Sequence, residues 1–224
     1  NNLAGDKEYH CHLVGMRARH LRWVRETGDL GLVPEGIITE RTRSLGNSYA
    51  ILRQEGAKET NRLLANMAAK ASSGHKAFAD LIAGLSAPDA AVRYWAATGV
   101  GNVAAGKSRA VSGTLKIKAR EAAKRGLDDK SASVRIALAR ALCHLEHPEK
   151  ALPVLINELK TGNQWERLQA AIVLDEIDEQ ARPVLEQMRV GLEFQEGFNA
   201  RGKYRVRVMN RALNQLEGTN RKVQ

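Results

Sequence analysis

Apolar residues recur at helical spacing from the start of the chain. Tyr9, Leu13, Met16 and Trp23 follow a three- and four-residue rhythm whose open slot holds His20, and Leu21 and Val24 widen the stripe. That spacing gathers them on one side of a helix with 3.6 residues per turn. Asp6 is the N-cap candidate, with Glu8 in the first turn, and the turn cluster Thr27, Gly28, Asp29 closes the helix near Glu26. Residues 30–40 carry Gly31, Pro34 and Gly36 and read as an irregular connector. Helical patterning resumes over 44–53 and 59–71, where Leu63, Leu64, Met67, Ala68 and Ala71 share a side, and Ser72, Ser73 and Gly74 mark a boundary.

From Lys76 onward the pattern repeats. Val92, Arg93, Ala96, Ala97 and Val100 match Val134, Arg135, Leu138, Ala139 and Leu142. Glu166, Arg167, Ala170, Ala171 and Leu174 make a third copy, and a polar residue (Asp89, Ser131, Asn163) stands four before each Arg. The arginines are 42 and 32 residues apart, and a weaker copy over 206–216, with Val206 in the Arg slot, follows 39 residues later. Each copy is preceded by a further helical segment: 78–85, 114–127, 151–159 and 181–192. Gly84, Gly126 and Gly162 fall at the breaks, and Pro88 and Pro148 suit first-turn positions. Two helices per ~40 residues is the period of HEAT and armadillo arrays, in which one pair cannot bury its apolar face alone. The expected fold is therefore all-α: an α-solenoid of HEAT/armadillo-like helix pairs preceded by an amphipathic helical segment. The arginine ladder is expected to tie each repeat to the next, with Asp89, Ser131 and Asn163 as its acceptors or as helix caps.

Composition agrees with close helix packing. Hydrophobic residues make up 43% of the chain and aromatics 4%, so the core is built from small aliphatic side chains. No apolar run approaches the ~18 residues of a membrane span. Cys11 and Cys143 lie in separate elements and are expected to be free thiols. The net charge of +10 is uneven. Lys107, Arg109, Lys116, Lys118, Arg120, Lys124 and Arg125 face a single Glu121; Arg201, Lys203, Arg205, Arg207 and Arg211 form a second basic run, while 175–196 is acid-rich. Basic helical faces are ordinarily solvated surface. As functional candidates, Lys116, Lys118, Arg120, Lys124, Arg205 and Arg207 are singled out as anion-binding residues, because a positive field attracts anions without naming them.

Little in the sequence has catalytic form. His10, Cys11 and His12 are consecutive, so on a helix they point about 100° apart and cannot converge on one ion. Cys11 and His12 also lack the third, orienting group of an activated nucleophile. His144 ends a helix, where a cation favours the dipole. Trp23, Trp95 and Trp165 are expected as packing anchors, with Trp165 the best placed to stack on a ligand. No phosphate loop, catalytic triad or paired-carboxylate site stands out, so no catalytic, cofactor-binding or metal-binding residue is assigned.

Two blocks resemble a known family. The opening Asn2-Leu3-Ala4-Gly5-Asp6, with the helix ending Trp23-Val24-Arg25-Glu26-Thr27-Gly28-Asp29, resembles the C-terminal end of type I sulfatases of the alkaline-phosphatase-like superfamily. The block Val92-Arg93-Tyr94-Trp95-Ala96-Ala97 resembles the HEAT-like extension carried by some bacterial sulfatases. The resemblance implies a sulfatase tail at 1–36, a helical connector at 37–74, HEAT-like repeats at 75–218 and a disordered tail at 219–224. The Cys- or Ser-x-Pro-x-Arg motif of that family is absent: Cys11 is followed by His12-Leu13 and Cys143 by His144-Leu145. The resemblance thus implies a non-catalytic region of a longer sulfuric ester hydrolase, whose formylglycine and calcium would belong to an upstream domain. The opening run, which lacks the apolar core of a signal peptide, fits a cut inside such a protein. The expected partners are that catalytic domain or another protein, with a sulfated polysaccharide as a further candidate, and the parent would be periplasmic or secreted. The alternatives are a free-standing scaffold for a protein partner or an anionic polymer, and, least supported, a nucleic-acid-processing helical-repeat enzyme.

Overall fold

A computed structural model describes residues 2–106, 111–193 and 203–223. Among the described residues every regular element is helical. In chain order these are α1 (His10–Thr27), α2 (Glu35–Leu45), α3 (Ala57–Ala71), α4 (Phe78–Gly84), α5 (Ala90–Ala105), α6 (Gly113–Arg125), α7 (Ala132–His144), α8 (Pro148–Thr161), α9 (Gln164–Glu176), α10 (Leu185–Met188) and α11 (Lys203–Glu217).

Helix starts are written into the chain. Asp89 Oδ1 accepts from the Ala91 and Val92 amides at the head of α5, and Ser112 accepts from Leu115 at the head of α6. Asn163 and Glu166 cap one another's backbone amides in a reciprocal box at the head of α9, satisfying donors that the first turn leaves open. Pro148 occupies the first turn of α8, whereas Pro88 stands just ahead of the Asp89 cap. At Ser131 the roles reverse: its own amide donates to Asp129 Oδ1 at 2.8 Å, and its hydroxyl caps nothing.

The helices form two layers. Helices α5, α7, α9 and α11 stack side by side in sequence, with α3 extending the row beyond α5; α4, α6, α8 and the stretch 178–192 cover them. The covered row is buried nearly all round: Val134, Ile136, Ala139 and Leu142 of α7 are closed to solvent, as are Leu155, Leu159 and Leu174 on the helices against it. This is the stacked core of an α-solenoid, in which neighbours supply the burial that one pair lacks. Small residues set the spacing. At Gly99 of α5 an added Cβ would stand 2.9 Å from the Ala71 backbone of α3.

Four elements depart from the sequence reading. The connector expected at 30–40 is a 3-10 turn, Leu30–Leu32, followed by α2, and the helix expected at 44–53 is a set of turns. Pro34 enters α2 with φ −57° and Gly46 ends it in the left-handed region at φ 81°. What the weak local pattern does not reveal is that Ile37 is 1% exposed: packing outweighs propensity there. Helix α2 crosses the starts of the stacked helices, with Arg41 2.8 Å from Asp89 and Gly36 against Ser133 and Glu166. Trp95 Nε1 fastens the approach by donating to Leu32 O at 2.6 Å. The second departure is 181–192, expected as one helix, which is a 3-10 run to Val184, the short α10 and a further 3-10 turn. Pro183 removes an amide and crowds the preceding turn. Third, α1 starts at His10 rather than after Asp6, whose carboxylate closes a local turn onto the Glu8 amide. Fourth, residues 219–223, expected to be disordered, fold back along α11. Gly218 turns the chain at φ 66°, the amides of Asn210 and Asn214 donate to Arg221 O at 2.9 and 2.8 Å, and Asn214 Oδ1 accepts the Arg221 amide at 3.0 Å. Asparagine side chains stand in there for a partner strand.

Candidate functional site

The arginine ladder runs along the starts of the stacked helices. Arg93 forks onto Asp129 of the next repeat at 2.7 and 2.9 Å and also donates to the Ala87 and Pro88 carbonyls of its own loop. Arg135 repeats the arrangement with Glu158 on α8 and the Asp129 and Lys130 carbonyls. Arg167 holds the Gly162 carbonyl. In the fourth copy, where Val206 fills the Arg slot, the neighbouring Arg205 takes the clamping role and donates to Gly191 O and Glu193 O. Asp129 is held below the usual carboxylate range: burial acts against this, but the forked bonds from Arg93 and the Ser131 amide prevail. Arg93 and Arg135 thus tie their repeat to the next, whereas Arg167 and Arg205 bond to the loop ahead of their own helix; Asp89 and Asn163 serve as helix caps rather than as acceptors of the ladder.

A second chain of contacts crosses the far ends of the same helices. Arg140 forks onto Glu176 at 2.6 and 2.7 Å and reaches Asn102 Oδ1 at 3.0 Å, and His144 Nε2 lies 3.1 Å from the same carboxylate. The hydrogen bond from His144, opposed by partial burial and reinforced by Arg140, pulls Glu176 down to about 2. Asn102, His144 and Glu176 each stand nine residues after the ladder arginine of their copy, so the repeat register sets them side by side, although the slot holds a different residue in each copy. The place of Arg140 is taken by Thr98 and Ile172 in the first and third copies and by Arg211, which pairs with Asp175, in the weaker fourth copy.

The six anion-binding candidates fall into two separated groups. Lys116 and Arg120 of α6 line a cavity of about 370 Å³ with His144, Glu146 and Gln180. Arg120 Nη2 sits 3.5 Å from Leu145 O, past the last turn of α7. A cation there matches the negative end of a helix dipole, which is a local use for the charge. Lys118 is exposed, and Lys124 lies 3.3 Å from Glu121 one turn earlier. On α11, Arg207 is exposed, but Arg205 is only 3% exposed, with its guanidinium on backbone carbonyls. As an anion-binding residue Arg205 is thus corrected to a loop clamp. Helix α6 lies in the covering layer and α11 in the stacked row, so the two groups line no common face. Lys107, Arg109 and Arg201 lie outside the described residues.

Cys11 is exposed and Cys143 buried, and both are free. Burial pushes the Cys143 thiol up to about 12, far from a reactive thiolate. Among the described residues no cluster of three His, Cys, Asp or Glu side chains has the geometry of a metal site, and no helix is long and apolar enough to cross a membrane.

The most conspicuous surface is on α1. The helix lies along α3 and buries Val24, while Leu21 is half-buried. Leu13 is half-buried too, but the stripe's larger side chains face out: Tyr9, just ahead of the helix, is 40%, Met16 67% and Trp23 53% exposed. His20 stacks on Trp23 with ring centroids 6.4 Å apart, and Arg17, Arg19, Arg22 and Arg25 are all exposed around it. Of the three tryptophans, Trp23 is the solvent-facing one, while Trp95 and Trp165 are partly buried. The sequence marks the stripe but not which side of it α3 covers, because that contact is made across 40 residues of chain.

Compared with known proteins, the chain matches no family model, no curated protein and no solved structure.

Proposed function

We propose that this chain is a non-catalytic interaction region, an α-solenoid whose α1 end docks onto another folded domain. The observation that carries the reading is the outward stripe of Tyr9, Met16 and Trp23. Terminal units of helical stacks ordinarily present a polar outer face, and three large side chains aligned over about four turns, with arginines beside them, have the form of an interface core with a polar rim. The resemblance of 1–36 to a sulfatase tail names the occupant: the upstream catalytic domain of a sulfuric ester hydrolase, against which such a terminal helix would pack. The repeats would then act in assembly or in positioning substrate. The two internal ladders are consistent with a stiff support, since Arg93, Arg135 and Arg140 each bond to the next repeat.

The test is mass spectrometry of the native polypeptide. Peptides upstream of Asn1 containing a Cys- or Ser-x-Pro-x-Arg motif support the sulfatase reading. An upstream region with any other fold signature, or a start methionine adjoining Asn1, removes that occupant and leaves a scaffold whose partner is another protein.

A further inference from the structure

Between α11 and the returning segment 219–223 lies an open groove of about 560 Å³, lined by Arg207, Arg211, Asn214, Gln215, Arg221 and Lys222 among others. Its charges are arranged in depth. Arg211 pairs with Asp175, and Arg221 stands 3.5 Å from Glu217, which Arg189 also engages. The two carboxylates are covered, with side chains 10% and 15% exposed, whereas the side chains of Arg211 and Arg221 are 68% and 66% exposed. An approaching ligand therefore meets the cations first. Arg207 and Lys222 form no ion pair among the described residues. Along α11, Tyr204, Arg207, Arg211 and Gln215 succeed one another at three- and four-residue spacing, and all are exposed. They make a stripe ~16 Å long on one side of the helix, and the segment carrying Asn220, Arg221 and Lys222 forms the facing wall.

We propose that this groove binds a linear anionic glycan, with Arg207, Arg211, Arg221 and Lys222 on its acidic groups and Tyr204 against a sugar ring. Guanidinium forks suit planar or tetrahedral oxyanions, and the amides of Gln215 and Asn220 suit hydroxyls. A single-stranded nucleic acid fits less well. Such strands are held by successive stacked bases, and Tyr204 is the one aromatic on this stripe. The site is independent of the docking proposed at α1 and stands or falls separately.

The test is fluorescence anisotropy on the full chain at low and physiological ionic strength. The probes are labelled dextran sulfate oligomers, oligogalacturonate and a thymidine oligonucleotide of matched charge. Binding to one or both glycans that exceeds binding to the oligonucleotide is expected. Arg207→Ser combined with Lys222→Ser is expected to weaken it about tenfold, two exposed ion pairs' worth, with the circular dichroism spectrum and melting temperature unchanged. Asn214→Ala removes no charge but releases the 219–223 wall, and is expected to weaken binding severalfold. Sulfate or carboxylate preference follows from which glycan binds more tightly. The proposal is overturned if the oligonucleotide binds as well as the glycans, if no glycan binds, or if affinity is indifferent to the Arg207 and Lys222 substitutions.

Discussion

Arg135 joins three parts of the chain through one guanidinium, reaching Glu158 on α8 and the carbonyls of residues 129 and 130. Glu158 is 2% exposed, so its charge has no recourse to water if the arginine is lost. Replacing Arg135 with Met should destabilise the fold by roughly 3 kcal/mol, the cost of orphaning a buried charge. Adding Glu158→Gln should recover much of that, and urea unfolding of the double-mutant cycle measures it. Glu176 gives a pH signature instead. Its pKa is lowered from 4.5 in an unrestrained chain to about 2 in the fold, so the folded state binds its proton less readily than the unfolded state. The stability it lends is full above 4.5 and is lost as pH falls toward about 2. Glu176→Gln should flatten that part of the pH dependence of the urea midpoint while leaving the neutral-to-alkaline part unchanged in shape. The arginine slots of the ladder are visible in the sequence because each interrupts an apolar run at a fixed place. Their partners are not, because Asp129 and Glu158 come from 36 and 23 residues away and share no local pattern with them.

At the scale of helices, the closeness of α3, α4 and α5 rests on side chains that are missing. Gly99 sits in the middle of α5, where glycine ordinarily costs about 1 kcal/mol relative to alanine. A Cβ there would meet the Ala71 backbone at 2.9 Å and the Leu81 side chain still closer. Leu81 can adjust but the α3 backbone cannot, so overpacking should win over propensity. Gly99→Ala is expected to lower stability by roughly 1–2 kcal/mol net, read as a fall in the urea midpoint at unchanged slope. The same balance explains which elements the sequence shows. Helices α5 and α9 are legible because apolar residues at helical spacing and capping side chains point to one answer, and α7 by its apolar spacing alone. Helix α2 is hidden because its glycine and β-branched residues favour no helix by themselves, and tertiary contacts, among them those of Gly36, Ile37 and Arg41, hold it in place. In 178–192 the reverse occurs: apolar spacing suggests a helix, and Pro183 breaks it into short turns.

For the molecule as a whole, the question is why one end is dressed differently from the rest. The row of stacked helices closes its core almost completely, and arginine–carboxylate pairs such as Arg93–Asp129, Arg135–Glu158 and Arg140–Glu176 join one repeat to the next. Helix α1 adds an exposed apolar stripe, with Met16 and Trp23 more than half exposed beside arginines that form no ion pair among the described residues. If the stripe is an interface, the isolated chain carries an uncovered apolar face and should associate with itself weakly as concentration rises, with the arginines limiting how closely two copies approach. Sedimentation velocity over a concentration series should show that drift. Met16→Gln with Trp23→Gln should abolish it and leave the melting temperature nearly unchanged, since exposed substitutions alter stability by only about 0.5 kcal/mol. A lowered melting temperature instead would mean that the two side chains support α1 on α3 and are structural. A chain that stays monomeric at every concentration, unaffected by the substitutions, would make the stripe inert and take away the support for docking at this end.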